Sequence, residues 1–333
     1  MENRSKGVVA DIVNMLSESW KGSLITAGLN AGIFSVLNDT TPVSLAQVAA
    51  KLNYDEDKLD KWFYYCENFG IVGRMDGGFT LTPFAKTFMP DSPYKDLLGF
   101  MRINDFFMRS AVDAGEFFRK NSSLDKLKDG KITRDYQPKV SDNLSGALIE
   151  FFKKYNMAGN DTLLDIGCGI GEFARMIIKE IPELLITGFD SNLFAIEWGK
   201  KENRQKGLSE KIKMVVGDAV EDIGEFKDGS FDWVMAINVF HFYPAKHRMD
   251  LIENMIRMCK KGVFFTEIIV EKSPLSFAAD PLMSLLWGDY TGFFREKDAE
   301  NINSMIEKKY PGCKVEKHLI LQNSSYLIVL TKK

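Results

Sequence analysis

The sequence predicts an α/β chain. An open, mostly parallel sheet with helices on both faces fills residues 156–333, and a smaller, mainly α-helical domain precedes it. Three observations carry this. From Thr162 onward, short apolar runs alternate with helical patterns, which is how a parallel sheet wrapped by helices reads. The first of those runs passes through Leu163-Leu164-Asp165-Ile166-Gly167-Cys168-Gly169-Ile170-Gly171-Glu172: a strand, a turn with glycine at alternate positions, and the start of a helix. Far upstream, two short apolar runs flank Asp76-Gly77-Gly78, a strong hairpin signal.

Composition sets the class. The 333 residues allow two domains, and 45% hydrophobic with 27% charged residues is ordinary for a globular protein. A net charge of −3 offers no basic excess for nucleic acid. Cys66, Cys168, Cys259 and Cys313 lack C-x-x-C spacing, which argues against a zinc site or a disulfide framework and fits a reducing cytoplasm. The N-terminus lacks a signal-peptide layout, and no run approaches the ~20 apolar residues of a membrane span.

Taken in order, residues 1–95 form the first domain. Val8 to Leu16 and Trp20 to Leu37 are expected as helices, with small residues around Gly28 permitting close helix packing. Ser44 to Leu52 and Asp55 to Phe69 follow as helices, the second punctuated by Gly70. The hairpin of residues 71–81 completes a winged-helix pattern. Its second helix would be the DNA-reading one, yet it carries Asp55, Glu56, Asp57, Asp60 and Glu67 against Lys58 and Lys61. Phosphate contact needs Lys or Arg, so that face excludes DNA. Trp62, Phe63, Tyr64 and Tyr65 are assigned to core or dimer interface. Residues 96–155 are expected as connecting helices, aromatic and Met-rich around Phe106 and Phe107, with an exposed loop from Asp125 to Pro138.

In the second domain, strands are expected at Thr162–Ile166, Leu185–Phe189, Ile212–Val216, Trp233–Ile237 and Val263–Glu267. A helix is expected from Lys246 to Cys259, and a closing antiparallel hairpin from Val315–Leu321 and Tyr326–Thr331. The first glycine turn is G-x-G-x-G behind an acid, not the G-x-G-x-x-G of a dinucleotide site. Asp165 at that turn suits a cationic or zwitterionic ligand better than a pyrophosphate. Asp190, 19 residues beyond Gly171, could accept both ribose hydroxyls or cap the next helix. Asp218, with Ala219, ends the third strand, and Asn238 follows the fourth. His241 comes just after the fourth strand and Glu267 ends the fifth, so base and acid stand on adjacent strand ends. A histidine, with its near-neutral pKa, is the side chain best suited to take a proton there.

This arrangement resembles the class I S-adenosylmethionine-dependent methyltransferases. The order of parts is similar to their small-molecule O-methyltransferase branch with an N-terminal winged-helix dimerisation domain, over nearly the whole chain. The resemblance implies S-adenosylmethionine as cofactor. Gly167, Gly169 and Gly171 would lie against it, with Asp165 at its amino-acid end, Asp190 at the ribose, Asp218 and Ala219 at the adenine, and Asn238 at the methionine part. It implies His241 as general base with Glu267 orienting it, and a homodimer formed through the N-terminal domain. Secondary metabolism in the cytoplasm is implied for such a protein.

The resemblance implies that the region of Phe106 and Phe107, which otherwise reads as core packing, forms one wall of an acceptor pocket. Met283, Trp287 and Tyr290, at helical spacing in an apolar insertion at 274–294, are expected over a small aromatic acceptor, with Phe294 nearby. Two departures stand out. His241 is followed by Phe242-Tyr243 rather than Asp-Trp, and Thr291-Gly292-Phe293-Phe294-Arg295 has Phe294 where that branch often has a second acid. N- or C-methylation of a small amine or α-keto acid therefore stays open, as does a regulatory protein that binds the cofactor without transferring from it. No metal is expected, and neither nucleic acid nor a membrane is expected as a partner.

Overall fold

The computed structural model describes residues 2–89, 92, 144, 146–157, 160–272, 291–320 and 325–332, with backbone only for 2–10 and 12. The chain divides into two compact units, Met1–Met108 and Arg109–Lys333.

In the first unit α1 runs unbroken from Glu2 to Asn30. Two helices were expected here. Ser17-Glu18-Ser19 contains neither Pro nor Gly, so nothing interrupts the backbone hydrogen bonds. Gly32, at φ +72°, then turns the chain into a short 3-10 turn at Ile33–Ser35. Helix α2 (Leu45–Leu52) opens with a reciprocal cap: Ser44 Oγ accepts from the Gln47 amide at 3.2 Å, and Gln47 Oε1 accepts from the Ser44 amide at 2.8 Å. Asp55 caps α3 (Glu56–Asn68) through the Lys58 amide.

Strands β1 (Val72–Met75) and β2 (Gly78–Leu81) make the expected hairpin, and the short α4 (Pro83–Lys86) follows. The core forms where Phe63 stacks on Phe79 at 4.1 Å. A Cβ at Gly28 would meet the Trp62 ring at 2.5 Å, so the small residue there permits that approach. The aromatic run divides accordingly: Phe63 is core, Trp62 donates to the Leu24 carbonyl, and Tyr64 and Tyr65 are exposed.

The second unit is built on a seven-stranded sheet. After a helix at 146–154 (α5) come β3 (Thr162–Ile166), α6 (Glu172–Glu180), β4 (Leu185–Asp190), α7 (Leu193–Gln205), β5 (Ile212–Val216) and β6 (Phe231–Ile237). Then follow α8 (Ala245–Met258), β7 (Cys259–Ile268), α9 (Glu296–Lys309), β8 (Cys313–Ile320) and β9 (Ser325–Lys332). The order is β5-β4-β3-β6-β7-β9-β8. The first five are parallel, and β9 pairs antiparallel with both β7 and β8.

The order of strands reverses its march across the sheet between β3 and β6. An open α/β sheet leaves a ligand crevice at such a point, above the carboxyl ends of the strands. Apolar side chains fill both faces. Leu164, Val234 and Phe265 belong to one core cluster, and Leu163, Met235 and Phe264 to the other. Each fully buried Leu, Ile or Phe of this kind contributes about 1.5–3 kcal/mol, which holds the strand ends in place for the site above them.

Candidate active site

The loop after β3 is shaped by its glycines. Gly167, Gly169 and Gly171 all have positive φ, at 68°, 53° and 78°. A Cβ on Gly167 would lie 2.4 Å from Val239 Cγ2, so the loop closes tightly against the chain leaving β6. The Gly169 amide donates to Asp190 Oδ2 at 2.8 Å, and the Asn192 amide donates to Oδ1 at 2.8 Å. Asp190 thus pins the loop while each of its oxygens keeps a second lone pair. The helix that follows is capped by Asn192, not by Asp190. Behind the loop, the buried Arg175 donates to the Ile170 carbonyl at 2.8 Å and to Asn203 Oδ1 at 3.2 Å.

Asp165 is 1% exposed, and its Oδ2 has no hydrogen-bond partner among the described residues. Burial, and behind it the Asp190 charge, push its carboxyl well above the usual range. Burial also raises Asp190, against the two backbone amides it accepts. A buried carboxyl with a partnerless oxygen beside a glycine cradle fits a ligand that brings a cationic N–H donor.

After β5, Asp218 Oδ1 accepts from the amides of Val220 and Glu221, which shapes the turn at the buried Ala219. Tyr243 stands by this turn. Burial, then the charges of Asp218 and Asp190, push its phenol upward, and a hydrogen bond with the Ala219 backbone works the other way. Asn238, just past β6, has φ +55°, a left-handed conformation that Asn tolerates better than most residues. Its Oδ1 accepts from Thr266 Oγ1 at 3.1 Å, which leaves its Nδ2 donors without a partner among the described residues.

His241 sits in a 3-10 turn, Phe240–Phe242, and is 4% exposed. Its Nδ1 lies 2.9 Å from Glu267 Oε1. The backbone donates to both oxygens of that carboxylate, His241 N to Oε2 and Ile268 N to Oε1. An acceptor-only carboxylate requires a donor at Nδ1, so the lone pair of the neutral imidazole is at Nε2. The rings of Phe242 and Phe293 lie 4.4 and 5.4 Å from the imidazole.

All the cofactor-side residues and both catalytic candidates therefore belong to the strand ends of this one sheet. Phe294 goes elsewhere. It is 1% exposed in the core, its ring 5.7 Å from Phe240 and 5.0 Å below the Arg248 guanidinium, and its neighbour Phe293 takes the side facing His241. The parallel bridge between Ile269 and Phe294 fixes which of the two turns inward. Phe106, Phe107, Met283, Trp287 and Tyr290 lie outside the described residues. Sequence reasoning did not single out Arg248, and noted Tyr243, Thr291 and Phe293 only within the two departures. An arginine three and four residues before the apolar Leu251 and Ile252, and so on the apolar face of a helix, was the one available signal.

Residues 163–262 match the model of a family described as a methyltransferase domain. Over 106 residues the chain is 34% identical to sterol 24-C-methyltransferase erg6 of Aspergillus fumigatus, a match that covers 31% of this chain and 26% of that protein. The similarity thus spans about a quarter of the curated relative. The whole chain superposes on an O-methyltransferase family protein from Burkholderia thailandensis with a TM-score of 0.67 and 15% identity, covering 98% of each. Human N-acetylserotonin methyltransferase in complex with SAM gives 0.61 and 16%, covering 98% of this chain and 97% of that one. Residues 163–262 are thus a methyltransferase domain, of the class I kind whose cofactor is S-adenosylmethionine, in a chain with the fold of solved O-methyltransferases.

Proposed function

We propose that this protein transfers a methyl group from S-adenosylmethionine to a hydroxyl oxygen of a small aromatic acceptor. The observation that carries the oxygen is the buried His241–Glu267 pair on adjacent strand ends, with Nδ1 and Oε1 at 2.9 Å. When bound, S-adenosylmethionine supplies an electrophilic methyl on a sulfonium centre.

The chain's own residues do the rest. Asp165 accepts from the ammonium of the cofactor's amino-acid end, and Asp190 offers its remaining lone pairs to the ribose hydroxyls. Asp218 and the Ala219 turn face the adenine, and Asn238 donates from Nδ2 to the methionine part. His241 takes the acceptor's hydroxyl proton at Nε2, and Glu267 stabilises the imidazolium that results. With the oxygen aligned, most of the acceleration comes from orientation. Phe293 and Phe242 support an aromatic acceptor beside the base.

The first unit is proposed to make a homodimer. Val13, Met15, Leu16 and Trp20 on α1 are between 41% and 64% exposed, more large apolar surface than a lone helix needs to show. Among the described residues, no helix is long and apolar enough to cross a membrane.

Similarity to a sterol C-methyltransferase over the domain, with Phe294 in place of an acid, keeps carbon or nitrogen transfer as the second reading. The test is methyl transfer from labelled S-adenosylmethionine to phenols, aromatic amines and aromatic keto acids, with His241→Ala beside the parent. Transfer to a phenol that falls about 10²–10⁴-fold in the variant supports the base. Transfer that survives the substitution refutes it and points to the second reading. Tight cofactor binding with no transfer to any acceptor points to the non-catalytic protein.

A further inference from the structure

Glu267 fixes the imidazole of His241 from the ring side, but the ring's place also depends on a three-residue 3-10 turn, a short element with poor hydrogen-bond geometry. Resting on the base role proposed for His241, we infer that Arg248 and Thr291 form a clamp that positions the base through its main chain. The Thr291 amide donates to the His241 carbonyl at 2.7 Å. Thr291 Oγ1 lies 3.0 Å from that carbonyl and 2.7 Å from the carbonyl of Tyr243, so its one proton is shared between them.

Arg248, 6% exposed on the first turns of α8, completes the network. Its Nε donates to the Tyr243 carbonyl at 2.7 Å, and Nη2 donates to Thr291 Oγ1 at 2.9 Å and to the Gly292 carbonyl at 2.6 Å. The guanidinium lies over the Phe294 ring.

Two features separate a clamp from ordinary packing. First, an apolar side chain would fill this position beside Leu251 and Ile252 without the cost of desolvating a cation. Second, the bonds converge on the carbonyls of His241 and Tyr243, which the turn's own bonds to Val239 and Phe240 leave unused, and so fix the chain at the base and where it leaves the turn. The planar, rigid fork of arginine holds several acceptors at fixed angles, which an ammonium cannot do. Thr291 and Gly292 also lead directly into Phe293, whose ring meets the imidazole edge-on. One network therefore sets the base and the aromatic side chain beside it. Arg248 and Thr291 are positioning residues, since neither touches the reacting atoms.

The test uses Thr291→Val, which keeps the shape and removes the hydroxyl, Thr291→Ser, which restores it, and Arg248→Met. The readouts are kcat and KM for a methylated acceptor, cofactor Kd by calorimetry, and the ¹H–¹⁵N ring signals of labelled histidine. With only three histidines in the chain, His241→Gln assigns the signals. Thr291→Val and Arg248→Met are expected to lower kcat about 10–100-fold, the effect of a displacement of up to an ångström, with cofactor Kd within about twofold of the parent, as for a group off the cofactor. They should shift or broaden the Nδ1–H signal of His241 while His247 and His318 stay unchanged, and Thr291→Ser should restore both rate and signal. Should Arg248→Met fail to fold, the exposed Thr291 pair still decides.

Unchanged His241 ring signals in Thr291→Val overturn the clamp, and so does a change shared by all three histidines, which would mark a global disturbance. If the ring signal moves as expected and the parent methylates nothing, the transfer reading fails and the clamp stands.

Discussion

Replacing Asp165 by Asn should make this protein more stable and less able to bind its cofactor. The side chain is 1% exposed and its Oδ2 has no partner among the described residues, while Asp190 adds a second negative charge nearby. Asparagine has the same shape and no charge. An unsatisfied buried polar group costs about 1–3 kcal/mol, and a charged one more. Relieving the charge should therefore gain about 1–3 kcal/mol, or about 2–12 °C in Tm for a domain of this size.

The sign of the pH dependence follows from the direction of the shift. The folded carboxyl titrates above its unfolded value of about 3.9, so the native state binds more protons than the unfolded state across that interval. Stability of the parent falls as pH rises from about 4 through the folded pKa, and is level above it. The variant lacks this titration. The difference in Tm between the two proteins should be small near pH 4 and widen toward neutrality.

Binding should go the other way. A hydrogen bond to a charged group is worth about 1.5–3 kcal/mol, so S-adenosylmethionine should bind about 10–100-fold more weakly. Scanning calorimetry across pH, with titration calorimetry at pH 7, reads both effects. A variant that melts below its parent at neutral pH while binding the cofactor equally well would refute the assignment of Asp165 to the ligand's cationic end.

Two further substitutions test other parts of the site. Gly167→Ala combines a left-handed φ, costing about 1–2 kcal/mol, with a Cβ 2.4 Å from Val239 Cγ2. Chemical denaturation should show a loss of at least about 2 kcal/mol together with weakened cofactor binding. Adding Val239→Ala should recover the steric part alone, and full recovery would mean that φ does not matter there. Glu267→Gln places an amide where both carboxylate oxygens accept N–H groups, so one donor must face another. Phenol methylation should fall about 10²–10⁴-fold with cofactor Kd unchanged, and a rate within a factor of about two of the parent would remove Glu267 from the mechanism.

Much of this architecture is local in origin, and that part is legible in the sequence. The strands of the parallel sheet begin and end within a few residues of their apolar runs, because β-branched stretches bounded by glycine and aspartate specify both extension and termination. The carboxylates at 165, 190 and 218 and the imidazole at 241, proposed as the base, can be read for the same reason: each sits where a strand stops, and the sheet brings all the stops to one edge. Helix α9 also had local signs that went unread, with Glu296 and Asp298 in its first turn, Lys308 and Lys309 in its last, and Ile302 and Ile306 buried four apart.

What cannot be read is whatever depends on register or on meetings across the fold. Phe293 and Phe294 are identical in sequence terms, and only the bridge from Ile269 decides that Phe294 enters the core while Phe293 faces the imidazole. A one-residue slip would exchange them. Arg248 and Thr291 stand 43 residues apart and carry no motif, yet they meet over the carbonyls of His241 and Tyr243. The chemistry of this site is thus written in strand-end residues, and its precision is written in contacts between segments that no local pattern joins. Substitutions that spare every motif residue can therefore still disable the base, as Thr291→Val should, by moving the main chain that presents it.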